Sequence, residues 1–302
     1  MVKKNKLLKL GLGTVQFGMK YGISNSEGQT SKQEVRRILE VARRKGIRYL
    51  DTASQYGRSE QVLGQTMPVG HQFRIITKTP HFKSKKIEQR HISQLKKSFE
   101  QSLDRLLVDS VYGLMVHNAE DLLVPGGENL YQAIIDLKKD GKLRKAGVSV
   151  YTAKQIDMIN SRYDIDIIQV PVNILDQRLI QSGHLSDLKK RGVEIHARSI
   201  FLQGLLLMRP DELHSYFDPI KRHIQTYQNE IHSHGFSLLS SAVQFVKSID
   251  LIDKVLVGVD SVVHLQEISA AYNVSIQKSQ QIDFLKYAVD HSDFVDPSQW
   301  KI

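Results

Sequence analysis

The sequence contains no cysteine among its 302 residues. It therefore has no disulfide, no catalytic thiolate and no zinc site with cysteine ligands. A chain without disulfides suits a reducing compartment, so we expect a cytoplasmic protein. We also predict no metal site.

Long apolar runs are missing as well. The most apolar stretch, "SIFLQGLLLM" (199–208), is shorter than the roughly 18 residues that a membrane helix needs, and it contains Gln203. Near the N-terminus, Lys9 interrupts the apolar run that follows the basic start, and no A-x-A-like cleavage site follows. We therefore expect neither a membrane span nor a secretory signal.

Acidic residues are fewer than basic ones, which gives a formal net charge of +10. Such an excess can serve nucleic-acid binding. The basic residues, however, are spread along segments such as "EVRRILEVARRKGIR" (34–48), whose other face is apolar. That pattern is typical of the solvated side of an amphipathic helix. We expect no nucleic-acid partner, and a small anionic molecule is the other use for the excess charge.

Short β-branched runs alternate with helical patterns along the chain. The predicted strands are 8–15, 47–52, 73–79, 111–117, 144–150, 166–172, 194–200 and 254–259. The predicted helices are 31–45, 59–66, 85–107, 128–140, 152–160, 182–191, 212–248 with a break near Gly235, and 264–273. This alternation favours parallel strands that are covered on both faces.

The segment 31–45 carries clear helix signals at both ends. Ser31 is placed as the N-cap, Glu34 is placed as its capping-box partner, and Gly46 is placed to end the helix.

Eight such units in about 260 residues match a closed (β/α)8 TIM barrel. The alternative is an open doubly wound sheet, which more often has a glycine-rich phosphate turn after its first strand. The segment "GLGTVQFG" (11–18) lacks a third glycine in register and is read as strand and loop. We predict one domain over residues 1–302, with the barrel core at about 8–273.

A helical extension is predicted at 274–302. Within it, "QIDFLKYAVD" (281–290) reads as helix and "DFVDPSQWKI" (293–302) as irregular.

Polar residues end three successive strands of this barrel. Asp51 ends the second strand, Lys78 the third and His117 the fourth, and Tyr56 lies in the loop after Asp51. Each residue alone is commonly structural or solvated. In such a barrel, however, the C-terminal rim carries the chemistry. We therefore expect the four side chains to face one cavity.

The four residue types make a chemically sensible set. A phenol with a pKa near 10 is a poor acid at neutral pH, and a nearby ammonium lowers that pKa. We expect Lys78 to act in this way on Tyr56, with Asp51 as the counter-charge of the lysine. His117 would donate a hydrogen bond to a substrate oxygen.

Six motifs in this sequence resemble, in order and spacing, those of the aldo-keto reductase superfamily. They are "GIRYLDTASQYGRSEQVLG" (46–64), "ITKT" (76–79), "MVHN" (115–118), "AGVSVYT" (146–152), "IIQVPVNILDQR" (167–178) and "ARSIFLQGLLL" (197–207). The resemblance spans about 8–273 and implies an NAD(P)H-dependent reductase that transfers hydride to a carbonyl group. The catalytic tetrad of that family falls on Asp51, Tyr56, Lys78 and His117, with Tyr56 as general acid.

The resemblance also implies a set of cofactor-binding residues along the rim of the barrel. They are Thr14, Asp51, Ser149, Gln169, Arg198, Ser199, Leu202, Gln203, Gly204, Gly258, Ser261, His264 and Glu267. Val150 stands where the family usually has Asn, and Arg198 stands where an aromatic residue stacks on the nicotinamide. We expect Arg198 to stack there and to favour the neutral, reduced cofactor; the alternative is that it faces solvent or an acidic loop.

Near the predicted adenosine end, Asp260 would repel a 2'-phosphate, whereas Ser261 and the helix that it begins could accept one. On family frequency we favour NADP(H) over NAD(H).

The predicted substrate-binding residues are Phe17, Tyr21, Tyr56, His117 and Asn118. Asn118 occupies a position where many family members have Trp, which favours a polar or sugar-like carbonyl or the corresponding alcohol. We expect a monomer or a weak homo-oligomer.

Two other functions are compatible with these residues. One is a slow, reductase-like barrel that senses bound nicotinamide as a regulatory subunit. The other is a lyase that uses Lys78 as a Schiff base.

Overall fold

The computed structural model describes residues 9–274 and 282–302. Its centre is a closed barrel of parallel strands in sequential order, in which the eighth strand pairs with the first. The strands are β1 (Leu10–Gly13), β2 (Tyr49–Asp51), β3 (Arg74–Lys78), β4 (Val111–Val116), β5 (Leu143–Ser149), β6 (Ile167–Pro171), β7 (Glu194–Arg198) and β8 (Lys254–Gly258). All eight strands and the barrel expected from the sequence are confirmed.

The α-helices pack around this barrel. They are α1 (Val15–Gly18), α2 (Lys32–Arg44), α3 (Ser59–Thr66), α4 (Gln89–Leu106), α5 (Glu120–Leu123), α6 (Gly127–Lys139), α7 (Ala153–Asn160), α8 (Arg178–Gln181), α9 (His184–Lys190), α10 (Asp218–Ser233), α11 (Leu238–Ser248), α12 (Val262–Asn273) and α13 (Ser292–Val295). Short 3-10 helices lie at Leu202–Leu207, Pro210–Glu212, Ser215–Phe217, Leu285–Tyr287 and Pro297–Gln299. In the part of the chain given by these two ranges, no helix is both long enough and apolar enough to cross a bilayer.

Helix α2 shows how the sequence builds these units. The Ser31 hydroxyl accepts a hydrogen bond from the Glu34 backbone N–H at 3.3 Å, and Gly46 ends the helix with a positive φ of 79°. The face that carries Val35, Ile38 and Leu39 is fully buried against the barrel. The N-cap at Ser31 and the stop at Gly46 are confirmed.

The capping box predicted between Ser31 and Glu34 does not form. The Glu34 carboxylate accepts the Val262 backbone N–H at 2.7 Å instead. It thereby joins α2 to the first residue of α12, which lies more than two hundred positions away in the chain. This long-range bond competes with the local one, and the sequence pattern does not reveal it.

The C-terminal extension also differs from the expectation. Within 282–290, part of the segment predicted as helix, the only helical turn is the 3-10 helix Leu285–Tyr287, and residue 281 lies outside the described residues. The segment read as irregular contains the end of α13 and the 3-10 helix Pro297–Gln299. Near the N-terminus, α1 occupies Val15, which was predicted as the end of the first strand, and the next three residues, which were read as loop.

Candidate active site

The C-terminal ends of β2 and β3 hold a buried ion pair. The Lys78 Nζ lies 2.6 Å from Asp51 Oδ2, and it also donates to the Thr52 carbonyl at 3.1 Å and the Tyr56 hydroxyl at 3.3 Å. These three acceptors match the three N–H groups of an ammonium. Only 1% of the Lys78 surface is exposed. The arrangement fixes the lysine directly against the phenol.

Gln169, on β6, holds the other side of the carboxylate. Its Nε2 donates to Asp51 Oδ1 at 2.8 Å. Each Asp51 oxygen therefore has a donor of its own, so the carboxylate cannot rotate without breaking a bond. The parallel barrel makes this possible, because it brings residues 118 positions apart to the same rim.

Tyr56 is positioned by the backbone of its own loop and by α1. Its N–H donates to the Ala53 carbonyl at 3.0 Å, and the Arg58 N–H donates to the Gly18 carbonyl at 3.2 Å. A Cβ added at Gly18 would lie 1.9 Å from the Tyr56 carbonyl oxygen. A side chain at position 18 would therefore push the loop away, which explains the glycine at the end of α1.

His117 follows β4 and presents its ring to the phenol. Its backbone N–H donates to Thr79 Oγ1 at 3.2 Å, and its ring lies edge-on to Tyr56 with centroids 5.6 Å apart. The ring also contacts His81, at 4.3 Å between centroids. Within residues 9–274 and 282–302, the buried Nδ1 atom of His117 has no hydrogen-bond partner.

The electrostatics of Tyr56 correct an expectation from the sequence. Burial and the Asp51 carboxylate raise the pKa of the Tyr56 phenol well above its usual value, although Lys78 was expected to lower it. The reason is that Asp51 neutralises the lysine at 2.6 Å, so that little positive field is left for the phenol. Tyr56 is thus held as a neutral phenol, which can give up a proton.

Burial also disfavours the charged forms of the two basic members of the set. Burial lowers the pKa of the Lys78 ammonium, and the Asp51 carboxylate opposes that shift. Burial, with Lys78 and His81 nearby, lowers the pKa of His117 to about 2. A neutral imidazole keeps one N–H, so His117 can donate a hydrogen bond to an oxygen without carrying charge.

These side chains border a cavity of about 800 Å³ at the C-terminal mouth of the barrel. Most residues predicted for the site contribute to its wall: Thr14, Tyr21, Asp51, Tyr56, His117, Ser149, Gln169, Arg198, Ser199, Gln203, Gly204, Gly258, His264 and Glu267. Lys78 lies behind the wall, in contact with Asp51 and Tyr56.

Besides Lys78, four predicted residues are not part of this wall. Phe17 and Leu202 are fully buried in the hydrophobic core, because the apolar sides of their short helical segments pack inward. Asn118 accepts the Glu120 N–H at 3.3 Å, and Ser261 accepts the His264 N–H at 3.2 Å as the N-cap of α12. The structure thus gives these four side chains packing or capping contacts, and the ligand contacts predicted for them stay predictions.

The loop after β7 has an unusual backbone. Ser199, Leu202 and Gln203 have positive φ angles of 59°, 49° and 55°, which non-glycine residues seldom adopt. Asn173 secures the loop by donating to the Ser199 carbonyl at 3.1 Å. At Gly204, φ is 99°, and an added Cβ would lie 2.0 Å from Ser24 Oγ. The loop therefore approaches the β1 loop closely and closes one side of the cavity.

Arg198 has a stacking partner within the protein. Its guanidinium carbon lies 4.1 Å from the centroid of the Tyr151 ring. The guanidinium donates to Ser199 Oγ and to the Val150 carbonyl, each at 3.2 Å. The expected stacking on a nicotinamide would have to use the face opposite Tyr151.

The end of the cavity beside α12 is acidic. Asp260 and Glu267 line it together with the His264 imidazole, whose Nδ1 is 3.9 Å from Asp260 Oδ2. The N-terminus of α12 was expected to accept a phosphate. The Glu34 carboxylate already occupies its Val262 N–H, so a phosphate there would meet a like charge.

Several wall residues were missed in the sequence. They include Gln16, Ser24, Asn25, Tyr151, Phe201, Leu207, His232, Ser237, Leu238 and Leu239. Tyr151 could have been found, because it follows β5 at the rim. His232 and Ser237 flank the break between α10 and α11 that Gly235 signals, but nothing in the sequence shows that this junction turns toward the cavity.

The residues present fit a nicotinamide dinucleotide. Gln16 Oε1 is buried and has no hydrogen-bond partner within the described residues, so the wall offers an acceptor that the protein does not use. Gln169 has committed its Nε2 to Asp51, which leaves its Oε1 to accept from a carboxamide. The cavity volume of about 800 Å³ is also within the range of small-molecule and cofactor pockets.

The sequence profile of the Aldo/keto reductase family matches residues 9–287. Among individual proteins, this chain is 30% identical over 181 residues to aldo-keto reductase YhdN of Bacillus subtilis (strain 168), a match covering 58% of this chain and 53% of YhdN. The chain thus spans about half the length of that relative.

Two further similarities cover more of the chain. It is 26% identical over 288 residues to L-galactose dehydrogenase of Arabidopsis thaliana, covering 88% of this chain and 84% of the dehydrogenase. It superposes on the holo form of aldo-keto reductase AKR11C1 from Bacillus halodurans with a TM-score of 0.74 at 20% identity, over 97% and 95% of the two chains. The structural match supports the barrel fold.

Proposed function

The chain belongs to the aldo/keto reductase family, and we propose that it reduces an aldehyde or ketone to the alcohol with a reduced nicotinamide dinucleotide. The observation that carries this proposal is the contact of Lys78 Nζ with both Asp51 and Tyr56 at the wall of the cavity. We further propose that the substrate is a small polar or sugar-like carbonyl compound.

The wall residues would hold the cofactor along the rim. Ser149 and Gln169 would bind the carboxamide, Ser199, Gln203 and Gly204 would bind the pyrophosphate, and the α12 end would hold the adenosine. When bound, the nicotinamide supplies the hydride that reduces the carbonyl carbon.

Tyr56 is the proposed general acid. Its raised pKa keeps the hydroxyl protonated, so a proton is present to pass from the Tyr56 oxygen to the carbonyl oxygen as negative charge develops there. The Lys78 ammonium, 3.3 Å from that hydroxyl, stabilises the phenolate that remains. The neutral His117 donates a hydrogen bond that orients the same carbonyl oxygen.

The preference between the two dinucleotides follows from the charge at the α12 end. Asp260, Glu267 and the nearby Glu34 disfavour an added 2'-phosphate, and no lysine or arginine among the described residues lines that end. The N-terminus of α12, which was expected to accept a 2'-phosphate, is therefore unfavourable for it, and the NADP(H) preference rests on family frequency alone. We propose NAD(H) as the better-bound form.

A Tyr56→Phe variant tests the proposal. We expect kcat for aldehyde reduction to fall by about a hundredfold or more, because the general acid is removed while the ring remains. Steady-state oxidation of NADH measures the rate, and quenching of NADH fluorescence shows that the variant still binds the cofactor.

Tyr131→Phe is the matched control, since it removes a phenol on α6 that does not line the cavity. Turnover retained in Tyr56→Phe would contradict the role of Tyr56. A wild-type protein that binds NADH tightly but reduces no member of an aldehyde panel would contradict the reductase itself and favour the nicotinamide-sensing subunit.

A further inference from the structure

The cavity contains a guanidinium that no carboxylate balances. The two hydrogen-bond acceptors of Arg198, the Ser199 hydroxyl and the Val150 carbonyl, are both uncharged. Its stacking partner is the neutral ring of Tyr151. Within residues 9–274 and 282–302, no carboxylate forms an ion pair with it. An unpaired, half-buried cation in a ligand cavity is costly unless a ligand supplies the counter-charge.

The charge around Tyr56 can be counted. We call the part of the cavity bordered by Tyr21, Tyr56, His117, Tyr151 and Arg198 the inner chamber. His117 is neutral because its pKa is about 2, and the raised pKa of Tyr56 keeps it neutral too.

Lys78 lies behind the chamber and Asp51 beside it. Their combined charge is zero, whichever of the two holds the shared proton. The carboxylates of Asp260 and Glu267 belong to the α12 end, where Asp260 contacts Asn25 and His264. Arg198 therefore leaves the inner chamber with one net positive charge.

Building on the reductase function proposed above, we propose that the physiological substrate is an oxo acid, whose carboxylate pairs with Arg198 while its aldehyde or ketone group meets Tyr56 and His117. A guanidinium has five N–H groups, and two of those of Arg198 are used within the protein. Three are left, which is enough for a paired contact with both oxygens of a carboxylate.

A carboxylate matches the chamber better than a phosphate ester does. It carries one negative charge at neutral pH, which cancels the single positive charge of the inner chamber, whereas a phosphate monoester carries up to two. The stack on Tyr151 holds the guanidinium plane in place, so the pairing loses less side-chain entropy than it would with a free arginine.

A matched pair of probe substrates tests the inference: 4-carboxybenzaldehyde and its neutral near-isostere 4-formylbenzamide. In the wild type we expect kcat/KM for the acid to exceed that for the amide by tenfold or more at low salt. In Arg198→Gln the ratio of the two kcat/KM values should fall at least tenfold, mainly through KM for the acid. Arg198→Lys, which restores a cation but not the planar fork, should recover part of the ratio.

Two further measurements separate the alternatives. The Kd for NADH, from fluorescence titration, should rise less in Arg198→Gln than the KM for the acid does, and the thermal midpoint of each variant reports folding. An equal loss for acid and amide together with a large rise in the NADH Kd would overturn the inference, because Arg198 would then serve the cofactor.

A wild type that reduces both aldehydes equally well would overturn the carboxylate preference and leave the reductase function in place. A wild type that reduces neither probe but reduces other members of the aldehyde panel would overturn this inference alone. A wild type that reduces no member of the panel would overturn the proposed function, and this inference with it.

Discussion

Lys78 donates all three of its N–H groups to acceptors inside the protein, namely a carboxylate, a carbonyl and a phenol. Removing one member of a buried ion pair leaves the other charge without compensation, which is far more costly than removing both. The pair is therefore a structural unit, in addition to the catalytic role proposed for it.

At the residue scale we expect Lys78→Met and Asp51→Asn each to lower the free energy of unfolding by about 3–5 kcal/mol. The double variant should lose clearly less than the sum of the two, because it contains no isolated buried charge. Denaturant unfolding of the four proteins measures the cycle. Strictly additive losses would show that the two groups do not depend on each other.

The sequence was sufficient to locate these residues but not to predict their acidity. Asp51, Lys78 and His117 end adjacent parallel strands, and the barrel rule places such ends on one rim. The pKa of Tyr56 depends on how deeply the phenol is buried and on which charged groups act most strongly on it. These effects depend on distances of 2.6–3.3 Å between side-chain atoms in the folded protein. The pattern of strands in the sequence does not give such distances.

At the scale of elements, α1 and the Tyr56 loop pack backbone to backbone. Gly18 makes this possible, since any Cβ there would lie 1.9 Å from the Tyr56 carbonyl oxygen and 2.3 Å from the Ser59 nitrogen. The strands were predicted well because each lies in a short apolar run that alternates with a helical pattern. Helix α1 has only four residues, about one turn, so no helical period could reveal it.

We expect Gly18→Ala to lower the free energy of unfolding by about 1–3 kcal/mol through overpacking and to reduce kcat through displacement of Tyr56. Gly113→Ala, in β4, is the matched control, because its Cβ would have an ordinary contact of 3.4 Å with Ile76. Denaturant unfolding and steady-state kinetics are compared for both variants. A Gly18→Ala variant with unchanged kcat would show that the loop tolerates the shift.

At the scale of the whole molecule, the cavity wall is gathered from residues between Gly13 and Ile268. Its inner chamber has a positive charge and its α12 end is acidic, although the chain as a whole is basic. The net charge of the sequence could not show this division. Glu34, from α2, adds a further carboxylate next to this end through its bond to the Val262 N–H at the start of α12.

A comparison of dinucleotides tests this division of charge. A ligand that binds only the folded protein stabilises it by about 2.7 kcal/mol when present at a hundred times its Kd. At equal concentrations we therefore expect NADH to raise the thermal midpoint more than NADPH, because the carboxylates oppose the 2'-phosphate. Glu267→Lys should narrow the difference by supplying a cation there. A larger shift with NADPH in the unsubstituted protein would contradict the proposed NAD(H) preference.

The enclosure of Lys78 has a chemical consequence for the aldehyde reduction proposed above. Primary amines condense with aldehydes, and a free lysine beside such a substrate would be consumed by adduct formation. Here the lysine is 1% exposed, and its nitrogen, as an ammonium with three hydrogens engaged by acceptors, presents no lone pair to an electrophile. The same contacts that tie the lysine to its neighbours thus protect the catalyst from slow self-modification by its own reactant.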